Sequence, residues 1–140
     1  GQKDTVRILS DLQAAYPSSE PLQQALGEAN ERVIRRAHQA LTAGEAEALG
    51  TWMTEAQRIF DQQVAPHSPE QLASPLLHEV LHMPALQPHV YGGKGVGSQG
   101  DGTAQLVARS EEDRDAAAGK IIDAYPRMRC FPLTIGTANP

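Results

Sequence analysis

"YGGKGVGSQGDGTAQ", Tyr91 to Gln105, concentrates the strongest local signal in this 140-residue chain. Between Gly92 and Gly102 it carries glycine at 92, 93, 95, 97, 100 and 102, half of the twelve glycines present. Glycine loses more conformational freedom on folding than any other residue. A run of it is kept mainly where the backbone takes positive φ or approaches another group closely. The flanks, "ALQPHVYGG" (Ala85 to Gly93) and "GTAQLVARS" (Gly102 to Ser110), read as two strands. In the second, Ala104, Leu106 and Ala108 alternate with Thr103, Gln105 and Val107. The expectation is two strands joined by a glycine loop over 92–102. Successive amides in such a loop can form a concave anion nest, to which Lys94 adds a charge and Ser98 a hydroxyl. A phosphate or polar substrate is its natural occupant.

Gly95 to Gly100 also matches G-x-G-x-x-G, the dinucleotide-binding turn. That turn joins a strand to a helix whose N-terminus holds the pyrophosphate, whereas Asp101 to Ala108 reads as a strand and no repeating βαβ pattern precedes it. A phosphate loop of the G-x-x-x-x-G-K-[ST] kind is absent, because no lysine follows Gly100. Lys94, Gln99 and Asp101 also distinguish the stretch from a serine-padded flexible linker.

Upstream the period is helical. Val6, Leu9, Leu12 and Tyr16 mark one apolar stripe, and Leu22, Leu26, Ala29, Val33, Ala37 and Leu41 a longer one ended by Gly44. Leu49, Met53, Ala56, Phe60 and Val64 form a third, ended by Pro66. A fourth helix is expected from "SPEQ", with Ser68 as cap, Pro69 in the first position and Gln71 completing a capping box. Its apolar face is Leu72, Leu76, Val80 and Met83, and Pro84 closes it. Downstream, "SEEDRDAAAGKIIDAY" reads as a capped helix with three carboxylates near its positive end. "MRCFPLTIG" reads as a last strand, with Pro132 marking an edge position.

The fourth helix contains "HEVLH", His78 to His82, which has the H-E-x-x-H spacing of zinc proteases. Residues four apart share a helical face, so His78 and His82 could serve one metal with Glu79 as general base. The extended protease pattern fails here: Ala85 stands where glycine belongs, Pro88 where the third histidine belongs, and His89 is one position late. The expectation is therefore a partly buried helix face whose ring nitrogens bond to backbone or carboxylate groups, with no metal. Cys130 alternates into the last strand as a small core or half-buried residue, and Trp52 with Met53 packs among helices.

The formal charge is -5, and the basic residues are dispersed apart from Arg35-Arg36, so no nucleic-acid surface is expected. The single cysteine forbids an internal disulfide. No apolar run approaches the ~20 residues that span a bilayer, and no signal peptide is legible. The expected setting is cytoplasmic, without membrane partners. The chain opens at Gly1 without methionine, as expected of a tag remnant or of a fragment.

Tyr91 to Gln105 resembles the third motif of the GHMP kinase superfamily, approximately G-x-K-x-[ST]-G-[AS]-G-x-G-G. Lys94, Gly97, Ser98, Gly100 and Gly102 fit it, while Gln99 and Asp101 stand where small residues or glycine are more frequent. "KDT" at Lys3 to Thr5, "EAQRIFD" at Glu55 to Asp61, "SPLLHEVL" at Ser74 to Leu81 and the closing "LTI" extend the likeness along the chain.

The resemblance implies an α+β domain over 1–140, a ferredoxin-like antiparallel sheet with several helices packed on it. It would be the C-terminal lobe of a two-lobed kinase using ATP and Mg²⁺ on a sugar or related small-molecule substrate. It implies a substrate and phosphate loop made by Lys94, Gly95, Gly97, Ser98, Gly100, Asp101 and Gly102, and an N-terminal kinase lobe as partner. The family's nucleotide motif P-x-x-x-G-L-G-S-S, which belongs to that other lobe, does not occur here, so no catalytic residue is assigned and this chain alone is expected to be inactive. The alternative is a stand-alone ligand- or protein-binding module, and the remote one is the zinc metalloprotease.

Overall fold

The chain's computed structural model describes residues 3–97 and 102–135. Asp4 opens the first helix, α1 (Thr5–Ala15), by accepting the Arg7 N–H at 3.0 Å. A 3₁₀ turn (Tyr16–Ser18) follows, and Ser19 caps α2 (Glu20–Leu26). Gly27, at φ -116° and ψ -111°, separates α2 from α3 (Glu28–Ala43), so the long helix expected through Leu41 is two helices. Gly44 then ends α3 in the left-handed conformation, φ 72°. Helix α4 (Ala46–Ile59) runs into a π turn (Phe60–Val64) and a 3₁₀ turn (Ala65–His67).

The fourth expected helix is likewise two, α5 (Pro69–Leu72) and α6 (Pro75–Leu81). Proline's ring disfavours helical backbone at the residue before it, and Ser74 accordingly sits at φ -139°, ψ 62°. Ser68 does not form the expected capping box. Its hydroxyl donates instead to Asp11 Oδ2 at 2.7 Å, tying the α5 entrance to α1.

The sheet is one antiparallel hairpin, β1 (Val90–Val96) with β2 (Thr103–Ala108), irregular at Tyr91. Arg109 N donates to His89 O at 3.0 Å at its base, and the Arg109 guanidinium lies 4.8 Å from the Tyr91 ring centroid. β1 begins later than expected, because Met83 to His89 is folded into successive turns. It also ends later. Gly92, Gly93, Lys94 and Gly95 are strand residues, not loop. Helix α7 (Glu111–Ala124) follows as expected, with Ser110 Oγ accepting the Asp113 N–H at 3.0 Å.

Residues 126–135 form no strand, correcting the expectation for "MRCFPLTIG". Among the described residues no neighbouring strand lies alongside to take up their backbone hydrogen bonds, and the sheet has two strands.

Two apolar clusters hold the chain. One joins Ile8, Leu22, Ala25, Val33, Ile59, Val64 and Leu72 among the helices. The other joins Val80, Leu86, Val90, Ala117 and Ile121 between α6, β1 and α7. Leu22 and Leu86 are fully buried, one in each cluster, and each burial stabilises by roughly 1.5–3 kcal/mol.

Candidate functional site

Helix α4 and strand β1 approach most closely at Gly50 and Gly92, where neither residue carries a side chain. A Cβ at Gly92 would stand 2.1 Å from Gly50 O, and one at Gly50 would stand 2.6 Å from the Tyr91 Cβ. Glycine on both partners permits this approach, and from it follows a row of polar contacts. Gly93 N donates to Thr54 Oγ1 at 3.4 Å, and Gly95 N donates to Gln57 Oε1 at 2.7 Å. These are alternate amides of β1 turned away from β2. Side chains of α4 therefore satisfy the strand edge that another strand would otherwise pair.

The row continues past the end of α4. Gln57, only 5 % exposed, donates from Nε2 to Asp61 Oδ1 at 2.8 Å, and His78 Nε2 donates to Asp61 Oδ2 at 3.0 Å. The π turn carries Asp61, and π turns recur at functional positions because the extra residue re-aims the side chains around it. One continuous network thus links the Gly95 amide, Gln57, Asp61 and His78. Gly50, Thr54, Gln57 and Asp61 are spaced by four, three and four residues, a helical stripe of small and polar side chains. Hydrophobic periodicity passed over all four, and that spacing opposite a Gly-Gly strand is the signal that could have found them.

Lys94 is two residues beyond Gly92 and so on the same, α4-facing side of the strand. With Ala56, Ile59 and Phe60 it lines a cavity of about 220 Å³. Leu26, Asn30 and Val33 line it too, Asn30 being exposed. Lys94 Nζ donates to Gly95 O at 2.6 Å and pairs with no carboxylate among the described residues. Burial alone pushes its pKa below the ordinary lysine value, because the ammonium is partly withdrawn from water.

The expected loop residues separate accordingly. Lys94 and Gly95 lie in β1, one facing the cavity and the other bound through its amide to Gln57. Gly97 forms the turn after β1 at φ 71°, with nothing within 4 Å of a built Cβ. Gly102 is an exposed bend before β2. Ser98, Gly100 and Asp101 lie outside the described residues.

No protein family, curated protein or solved structure matches this chain.

In "HEVLH" both histidine rings have hydrogen-bond partners. His78 bonds to Asp61, and His82 Nδ1 donates to His78 O at 2.9 Å, so one ring meets a carboxylate and the other the backbone, as expected, but only His78 is partly buried, His82 being exposed at the C-cap of α6. Glu79 accepts the Tyr125 hydroxyl at 2.9 Å. Among the described residues no three His, Cys, Asp or Glu side chains converge as a metal site. Cys130 is half-buried, and desolvation raises its pKa, which keeps it a thiol and a poor nucleophile. No helix among the described residues is long and apolar enough to cross a membrane.

Proposed function

We propose that this chain is the C-terminal lobe of a two-lobed kinase resembling the GHMP superfamily, which transfers phosphate from ATP to a hydroxyl of a sugar or related small metabolite. One observation carries the proposal: the glycine motif runs from strand through turn to strand at the end of a hairpin followed by a helix. A dinucleotide site would need the motif to lead from strand into helix. A phosphate-supporting loop presents main-chain amides from a turn held by its flanking strands.

The open sheet supports the same assignment. α4 covers the outer edge of β1, while β2 has no second neighbour among the described residues and its first half is exposed. Phe131, Leu133 and Ile135 alternate beyond Cys130 and are 77 %, 73 % and 68 % exposed, the pattern of a strand without a partner. Two further strands paired on this sheet would complete a four-stranded ferredoxin-like sheet.

In the assembled enzyme, ATP and Mg²⁺ are held chiefly by the N-terminal lobe, and ATP supplies the transferred phosphoryl group. This lobe's part is to position: Gln57 fixes the Gly95 amide, and Gly97 permits the turn. The setting in this proposal is cytoplasmic, with neither nucleic acid nor membrane as partner.

The experiment is an ADP-release screen of the complete protein with ATP, Mg²⁺ and a panel of sugars and isoprenoid precursors. Turnover on one acceptor is expected, and Gly97→Val should lose most of it while the far-UV circular dichroism stays unchanged. Absence of ADP release on every acceptor, or equal turnover in a folded Gly97→Val protein, overturns the assignment.

A second reading has its own observation. Lys94 lines a cavity against α4 and is half-buried there, which favours a stand-alone small-ligand module.

A further inference from the structure

We propose that the cavity between α2, α3 and the end of α4 binds a small monocarboxylate with a short apolar tail, the tail filling the cavity and the carboxylate pairing with Lys94 Nζ.

Size bounds the tail. An apolar cavity of about 150 Å³ accepts benzene, whereas drug-sized ligands occupy roughly 300 Å³ or more, so a cavity of about 220 Å³ suits one ring or a short alkyl chain. Its walls choose the same chemistry. Ala25, Val33, Ile59 and Val64 belong to the buried helical cluster and offer no hydrogen bonds from their side chains.

The head group follows from Lys94. An ammonium has three donors, and the one partner the structure gives it is the carbonyl of the next residue, at 2.6 Å. A half-buried cation with spare donors and no described counter-ion gains most from an anion that brings charge and acceptors together. Asn30 also lines the cavity, and in the proposed complex its amide donates to the second carboxylate oxygen. A phosphate, with more oxygens to satisfy, would leave several facing apolar wall. The site lies on the helical side of β1 and does not depend on the kinase assignment.

The test uses hexanoate as probe and 1-hexanol as its neutral counterpart. Lysine occurs only at positions 3, 94 and 120, so protein labelled with ¹³C at the lysine ε-carbon gives signals that single substitutions assign. Hexanoate should move the Lys94 signal and raise its titration midpoint, because a carboxylate favours the charged amine. A charge-assisted hydrogen bond contributes about 1.5–3 kcal/mol. Lys94→Met should therefore weaken hexanoate binding by about tenfold or more, with 1-hexanol binding changed less than about twofold. In the unsubstituted protein, raising the pH through the Lys94 titration should weaken hexanoate and spare 1-hexanol. That series decides the matter should Lys94→Met fail to fold. An unmoved Lys94 signal, equal hexanoate affinity in folded Lys94→Met, or equal loss of both probes at high pH each overturns the proposal.

Discussion

Gly92 and Gly97 belong to one glycine run, yet the backbone uses them for different ends. At Gly92 the limit is space, since an added methyl group would meet Gly50 O at 2.1 Å. Gly92→Ala should therefore push α4 off β1, weaken the Thr54 and Gln57 bonds, and destabilise by about 1–3 kcal/mol or more in a urea melt. At Gly97 the space is open and the limit is the backbone, φ 71°. Gly97→Ala should cost only about 1–2 kcal/mol, the penalty of a left-handed L-residue. Equal losses at the two positions would contradict the division. From composition all the glycines look like one anion nest. What separates them is whether another chain segment lies against the backbone, and local sequence contains no record of that.

At the scale of elements, α7 was the most legible. Ser110 caps it, Glu111, Glu112 and Asp113 occupy its positive end, and the structure agrees within a residue. Its anchor was not legible. His89 Nδ1 donates to Asp113 Oδ1 at 2.6 Å from the turn before β1, 24 residues away. The His89 and Ser110 hydrogen bonds hold the Asp113 carboxyl below its ordinary value near 3.8. A carboxylate with a lowered folded pKa contributes stability that is present above the unfolded value and is lost as pH falls through the folded one. The stability gap between the unaltered protein and Asp113→Asn should accordingly be wide at neutral pH and shrink below about pH 3.8, read from thermal melts across that range. A gap that stays constant into acid would refute the contact's role.

The helices also show where periodicity misleads. Val6 and Leu9 are 78 % and 61 % exposed, while Ile8, one position round the helix, is buried with Leu12 beside it. Two adjacent stripes satisfy helical spacing equally, and only the position of α5 and its Leu72 selects between them. In α4, likewise, the apolar stripe is real, but the polar stripe through Gln57 bonds to a strand nearly forty residues later.

For the whole molecule the open sheet has a consequence. Leu133 and Ile135 are exposed and make no part of either apolar cluster. Replacing both with aspartate should change the melt by less than about 0.5 kcal/mol, as for other surface sites. The same change should reduce concentration-dependent self-association in sedimentation, because an exposed apolar strand pattern invites pairing between chains. A marked loss of stability would mean that these side chains are packed.

The sequence by itself determined the mixed class, helices first and a glycine-tipped hairpin followed by a helix, because caps, prolines and hydrophobic period act over a few residues. Only the tertiary structure decided which glycines are contact points, that Lys94 lines a cavity, and that residues 126–135 pair with no strand among the described residues. Each depends on a neighbour tens of residues away, and whether a strand pairs or a lysine is desolvated is a property of that neighbour as much as of the residue itself.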